Sequence, residues 1–310
     1  MSTSFTPLFS GGTGRSGTTA IVNLLNHHPQ VHTSLPREIK YLTDRFGLLD
    51  LNFGRPINFE SSAEELVKRV LSNFGIIIGS SAATIFNQRM SNRWWQGVGK
   101  KGKPRGLCQG IEMSFLTSQL TEFNKTRKTD LYQASINLYY ELSKAQIKKT
   151  NISFFADSTP GNIQNGNRII KLLPNAYFIN MIRDGRDVAL SVTKERWGPD
   201  DPAKALKWWQ KRIVLANQGL TQVAIGKKID LRLEDLIVYN RDQSYNSILN
   251  LLGLADNPEL SDEFDKTFSK EKMSMGTWKN EVKSPVQFEK SYLKILKQLS
   301  DQGIEIKQYY

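Results

Sequence analysis

Residues 8–25 read LFSGGTGRSGTTAIVNLL. A short apolar run breaks into a loop carrying Gly11, Gly12, Gly14 and Gly17, and the chain then resumes with helical apolar spacing from about Thr18 to His27. This pattern predicts a strand, a phosphate-sized loop and a helix, the opening unit of an α/β fold. With four side chains removed, backbone N–H groups close around an anion, and the helix start adds its positive end. The loop of ATP- and GTP-hydrolysing proteins, G-x-x-x-x-G-K-[ST], places a Lys on the β- and γ-phosphates. Here Gly12 and Gly17 keep the spacing, but Thr18 stands at the Lys position and Arg15 carries the charge from mid-loop. Arg15 can fork onto oxyanions without a metal, and Thr18 and Thr19 add two hydroxyls.

The remaining composition narrows the class. At 310 residues the chain suffices for one large α/β domain, with room for an inserted cap. Cys108 is the single cysteine, so no intramolecular disulfide forms. The start, MSTSFTPLFS, has no basic or long apolar region, and no apolar run reaches the length of roughly 18 residues a membrane helix needs. A soluble, cytoplasmic protein is expected. Lys and Arg outnumber Asp and Glu by 42 to 30, a formal charge of +12, which favours anionic partners. Zinc-finger spacing, RNP-like strands and a bZIP region are all missing, so nucleic acid is not the expected partner. No clustered Cys and His ligands point to a metal.

A second signal lies at Ala176–Arg196, AYFINMIRDGRDVALSVTKER. Tyr177–Ile182 reads as a central parallel strand that breaks at Arg183-Asp184-Gly185-Arg186-Asp187 before a helix. RSGTT followed by LLNHHP resembles the 5′-phosphosulfate loop of sulfotransferases that use 3′-phosphoadenosine 5′-phosphosulfate (PAPS). Arg183 and Ser191 match that family's R-[DN]-x-[RK]-D-x-x-x-S, whose Arg and Ser bind the 3′-phosphate. The resemblance implies an α/β fold with a P-loop-like central parallel sheet flanked by helices on both faces. It further implies PAPS as co-substrate, adenosine 3′,5′-bisphosphate as product, and no metal. Gly12, Thr13, Gly14, Arg15, Ser16, Gly17, Thr18 and Thr19 would hold the phosphosulfate, and Asp184 and Asp187 would brace the turn and helix start. Golgi members carry a membrane anchor, so this chain looks more like a bacterial-type cytoplasmic member.

The other motifs match in part. Pro36-Arg37-Glu38-Ile39-Lys40-Tyr41 follows a short strand at Val31–Ser34, where the strand's carboxyl end would bring Glu38 toward the first loop. In carbohydrate-type sulfotransferases a Lys-Glu pair lies here and its Glu is the general base; Arg37 replaces the Lys. A salt-bridge role for Glu38 stays open. The His used by phenol and steroid sulfotransferases has no counterpart, because the histidines are His27, His28 and His32. A strand at Ser153–Ala156 runs into Asp157-Ser158-Thr159-Pro160, resembling the family's D-[KS]-[ST]-P turn. Asp157 either contacts the acceptor or makes a structural Asx turn. Ile229–Leu233 and Glu234-Asp235-Leu236 resemble [YF]-E-D-L, with Leu233 at the aromatic position. Gly276, Trp278 and Lys279 match the end of G-x-W-[KR], a stretch that folds over the nucleotide in the family, while its usual Arg-Lys-Gly start is missing.

Between these motifs the chain offers helices and one unusual segment. Residues 61–74 read as an amphipathic helix capped by Ser61 or Ser62, residues 129–148 as a long helix with core aromatics, and residues 202–226 as a helix with Trp208 and Trp209 buried. Arg89–Arg105, RMSNRWWQGVGKKGKPR, carries six basic residues, no acid and the Trp94-Trp95 pair. It reads either as a lid gripping an anionic or sugar acceptor or as a loop pinned by its tryptophans.

The expected organisation is one sulfotransferase domain over 1–310 with a basic cap region near 75–127. The expected activity is sulfuryl transfer to an acceptor hydroxyl, weakly favouring carbohydrate, with Glu38 as base and Arg15 on the leaving phosphate. A small-molecule kinase on the same loop, or a non-catalytic polyanion-binding protein, are the alternatives. Acceptor identity and oligomeric state are not legible.

Overall fold

The Leu8–Gly12 run becomes the middle strand of the sheet. In the computed structural model, which describes residues 5–55, 81–97, 102 and 104–309, strand β1 (Thr6–Gly12) leads to helix α1 (Thr18–Leu25) and strand β2 (Val31–Thr33). Strands β3 (Phe154–Asp157) and β4 (Tyr177–Ile182) follow, then helices α2 (Gly185–Thr193) and α3 (Pro202–Gly219) and strand β5 (Lys228–Arg232). Among the described residues the five strands form one parallel sheet in the order β2-β3-β1-β4-β5. The expected helix at 61–74 and part of the basic segment, 98–101 and 103, lie outside the described residues.

The chain divides into two compact units. One comprises residues 1–33, 150–167 and 175–310, and the other residues 34–149 and 168–174. The expected cap at 75–127 falls inside the second, which is the larger segment of the two readings.

In the first unit, β1 is buried along all but its first residue because both faces of a parallel sheet are covered. Leu8, Ile179, Met181 and Leu231 pack with Ile21, Val22 and Leu25 of α1 on one face. Phe9 and Phe178 meet at 5.7 Å between ring centroids elsewhere in the sheet. Each such fully buried side chain contributes roughly 1.5–3 kcal/mol. Beyond β4, α2 and α3 pack around Trp209. A Cβ on Gly185 would meet the Trp209 ring at 2.7 Å, so glycine is what lets the two helices approach. Trp209 is fully buried as expected, whereas Trp208 is only half-buried against Trp197 and Arg212. α3 stops at Gly219, short of residue 226, because Gly219 packs against the Ile163 carbonyl, where a Cβ would come within 2.2 Å.

The second unit is helical among its described residues. Ser81 and Asp130 cap the helices Ala82–Ser91 and Leu131–Lys144 by accepting from Thr84 N and Gln133 N. Phe86 meets Trp94 edge-on at 5.9 Å and Phe123 at a tilt at 5.3 Å, and Asn87 and Asn124 exchange amide hydrogen bonds. Arg168 and Asp50, 3.0 Å apart, tie the 168–174 segment to residues 48–53. No described helix is long and apolar enough to cross a membrane.

Candidate active site

The loop between β1 and α1 has the backbone its glycines allow. Gly14, Arg15 and Gly17 take φ of 83°, 58° and 91°, and successive left-handed residues turn N–H groups toward one concave side. At Gly12, φ is 152° and a Cβ would lie 2.2 Å from the Met181 carbonyl, so the loop can pass β4 only without a side chain. α1 starts at Gly17 with no side-chain cap and no acid in its first turn, which leaves its first N–H groups for an external acceptor. Ser16 Oγ is buried without a hydrogen-bond partner, and buried polar groups of this kind ask for a ligand or water.

β4 delivers the second set of groups. Its end places Arg183 so that Nη1 donates to the Arg15 carbonyl at 3.0 Å and Nη2 to the Ser274 carbonyl at 2.7 Å, while its buried Nε has no partner. Nearly two helical turns beyond the start of α2, Ser191 accepts a 2.9 Å hydrogen bond from Arg15 Nε. Glu195 sits 3.6 Å from Arg15 Nη1. These groups surround a cavity of about 490 Å³ lined by Arg15, Thr18, Thr19, Arg183, Ser191 and the 272–274 segment. The walls bring together four cations, Arg15, Arg183, Lys194 and Lys272, with Lys194 paired to Glu281 at 2.6 Å. Four cations lining one cavity suit a polyanion.

The segment after residue 269 is held over the cavity by α2. Asp187 accepts from Gly276 N at 2.8 Å and from Thr277 Oγ1 at 3.5 Å. Trp278 is 2% exposed, and the buried Arg186 guanidinium lies 4.4 Å from its ring and 4.6 Å from that of Tyr292. Arg186 is itself neutralised by Asp184 at 2.7 Å and Glu289 at 3.0 Å. The expectation for Trp278 therefore changes: its ring is consumed in the core, and it anchors the segment instead of lining the cavity. Lys279 lines a separate depression with Val238, Tyr239 and Lys270. The cavity instead receives Lys272, Met273, Ser274 and Thr277, which no sequence motif singled out; only the basic, glycine-containing character of the stretch pointed there.

Of the two readings of Asp157, its hydrogen bonds match the Asx turn. It is fully buried, with Oδ1 accepting from Thr159 N and Oγ1 and Oδ2 from Asn162 Nδ2 at 2.7 Å. Those bonds make it the Asx turn that ends β3. Glu234 at the end of β5 is 99% covered and accepts from Asp184 N at 2.8 Å. Burial pushes its carboxyl up to about 7, against the lowering effect of the backbone hydrogen bonds. Leu233 beside it packs under Gly17, where a Cβ would stand 3.1 Å from Leu233 Cδ1.

Glu38 lies in the second unit, half-buried, and makes no hydrogen bond or ion pair among the described residues. It lines a cavity of about 210 Å³ with Lys40, Tyr41, Arg93, Trp94 and Arg105. Trp94 is 3% exposed and pinned by Phe86, so it serves as both anchor and wall, while Trp95 is half-buried and does not line this cavity.

A five-stranded parallel sheet with a glycine-rich loop after its first strand, and with Arg183 and Ser191 beside that loop, is the setting of a group-transfer enzyme. The chain belongs to the sulfotransferase family, whose model matches residues 7–258. Among solved structures it is similar to the sulfotransferase domain from the curacin biosynthetic pathway, at 15% identity and a TM-score of 0.55, over 98% of this chain and 100% of that one. That likeness shows the shared fold. It also matches sulfotransferase STF1 from Mycobacterium tuberculosis H37Rv at 12% identity and a TM-score of 0.47, over 94% of this chain and 77% of that one. No curated relative matches the sequence. Members of the family generally use PAPS as donor.

Proposed function

We propose that this enzyme moves a sulfuryl group from PAPS to an acceptor hydroxyl, carbohydrate being the favoured class, and releases adenosine 3′,5′-bisphosphate. The reading includes a cytoplasmic enzyme. Its main support is the meeting of Arg15, Arg183 and Ser191 around one cavity, with Arg15 Nε 2.9 Å from Ser191 Oγ across 176 residues of sequence. The unpartnered Arg183 Nε and Ser16 Oγ are the donors a phosphorylated nucleotide would satisfy. In this reading residues 12–19 hold the 5′-phosphosulfate and Arg183 and Ser191 the 3′-phosphate.

The roles follow from charge movement. Glu38 takes the acceptor proton as the acceptor oxygen bonds to sulfur; the bond from sulfur to the 5′-phosphate oxygen breaks, and its electron pair stays on the leaving phosphate. Arg15 and the loop N–H groups stabilise that charge as it grows. Glu38 suits the task because it has no partner among the described residues to lower its availability.

Binding of adenosine 3′,5′-bisphosphate without metal, compared with adenosine 5′-phosphate, tests the donor assignment. Arg183→Ala should weaken the bisphosphate by ~10-fold or more and leave the monophosphate nearly unchanged, since a charge-assisted bond contributes roughly 1.5–3 kcal/mol. Equal losses for both ligands refute the 3′-phosphate role. Glu38→Gln should keep donor binding while transfer falls by about 10²–10⁴-fold; near-normal transfer assigns the proton to another group.

A further inference from the structure

The cavity at Glu38 carries more information than the position of a base. Lys40, Arg93 and Arg105 all line it, and Glu38 is the sole acid among its lining residues. Neither these cations nor Glu38 pair with one another, and none of the three has an ion pair or a side-chain hydrogen bond among the described residues. Asp44 lies in the field of Lys40, Arg93 and Arg89, so even with that acid counted the surroundings remain positive. Arg89 is directed away, over the rings of Phe46 and Trp94, with its Nη1 donating to the Arg45 carbonyl. The three lining cations, all solvent-exposed, thus border the cavity without an ion pair or side-chain hydrogen bond among the described residues.

We infer that the acceptor is an anion, a hydroxylated compound whose carboxylate, sulfate or phosphate group is gripped by Arg93 and Arg105 while its hydroxyl meets Glu38. This rests on the reading of Glu38 as the base. A neutral sugar hydroxyl can accept from Lys and Arg but leaves their charge uncompensated and gives no charge-assisted bond. A planar or tetrahedral oxyanion accepts from two guanidinium N–H groups at once. At about 210 Å³ the cavity is smaller than those that enclose a drug-sized ligand, so it fits one charged unit, either a small molecule or the terminal residue of a longer chain. Trp94, held by Phe86 at 5.9 Å, gives that unit a rigid apolar wall.

Matched probes decide the point. With enzyme saturated by adenosine 3′,5′-bisphosphate, calorimetry would compare methyl β-glucuronide with methyl β-glucoside, and 4-hydroxybenzoate with 4-hydroxybenzamide. In at least one pair the anion should bind about tenfold more tightly, the effect of one charge-assisted hydrogen bond. Arg93→Ala combined with Arg105→Ala should abolish that preference and leave the neutral partner unchanged, and Arg93→Lys with Arg105→Lys should restore part of it. The inference is overturned if neutral members bind as well as anions, if neither member of either pair binds, or if the preference survives the double alanine variant. Glu38→Gln separates it from the base assignment. Normal transfer in that variant with an intact anion preference removes Glu38 as base and leaves the anion site standing, whereas lost transfer with no preference does the reverse.

Discussion

Arg15 holds a backbone conformation with φ of 58°, which costs a non-glycine residue roughly 1–2 kcal/mol. The conformation turns its carbonyl to Arg183 and its side chain to Ser191 and Glu195. In the proposed role Arg15 leaves Glu195 to act on the leaving phosphate. Glu195 is mostly buried and Arg15 nearly half exposed, so solvent screens the pair and its contribution stays within about 0.2–1 kcal/mol. Glu195→Gln should accordingly tighten adenosine 3′,5′-bisphosphate binding by up to about fivefold, as read by calorimetry at low salt. Weaker binding in this variant would show that Glu195 holds Arg15 in its productive place.

At the scale of elements, α2 does two jobs with consecutive residues. Arg186 turns inward to the rings of Trp278 and Tyr292, and Asp187 reaches Gly276 N and Thr277. Together they hold the stretch that contributes Lys272 and Ser274 to the cavity. Removing a buried hydrogen-bonded carboxylate costs about 1.5–3 kcal/mol locally, so Asp187→Ala should loosen that stretch while the sheet stays intact. Limited proteolysis should cut near Lys270–Lys272 sooner, and affinity for adenosine 3′,5′-bisphosphate should drop by about tenfold. Unchanged cleavage and affinity would mean that the Trp278 anchor alone suffices.

For the molecule as a whole, Glu234 links stability to pH. Its carboxyl is raised to about 7 by burial, whereas in the unfolded chain it ionises near the ordinary value of about 4.3. Between those values the native state binds a proton that the unfolded state has lost, so this contribution is complete below the unfolded value and fades as pH rises toward 7. Urea unfolding of the wild type and of Glu234→Gln at pH 5, 6 and 7.5 should show the wild type's relative stability falling across that range. A pH-independent difference would mean that Glu234 does not titrate there.

How much of this was legible in the sequence depends on how local each cause is. Glycine spacing before a helix, the apolar strand Tyr177–Ile182 and the eight-residue interval from Arg183 to Ser191 are short-range patterns, and strand period and loop geometry determine them directly. They suffice for a parallel α/β sheet, for a glycine-rich loop between strand and helix, and for the family. Asp157, Trp278 and Trp208 could not be assigned that way, because whether a polar or aromatic side chain faces a ligand or the core depends on distant partners. Asn162 closes the Asp157 turn, and Arg186 with Tyr292 forms the Trp278 pocket. The sequence by itself determined which chemistry the loop can hold, since backbone conformation there follows from residue type. Only the tertiary structure decided which side chains from β4, α2 and the 272–277 stretch line the cavity, since contacts across such separations exist only once the sheet has brought their elements together.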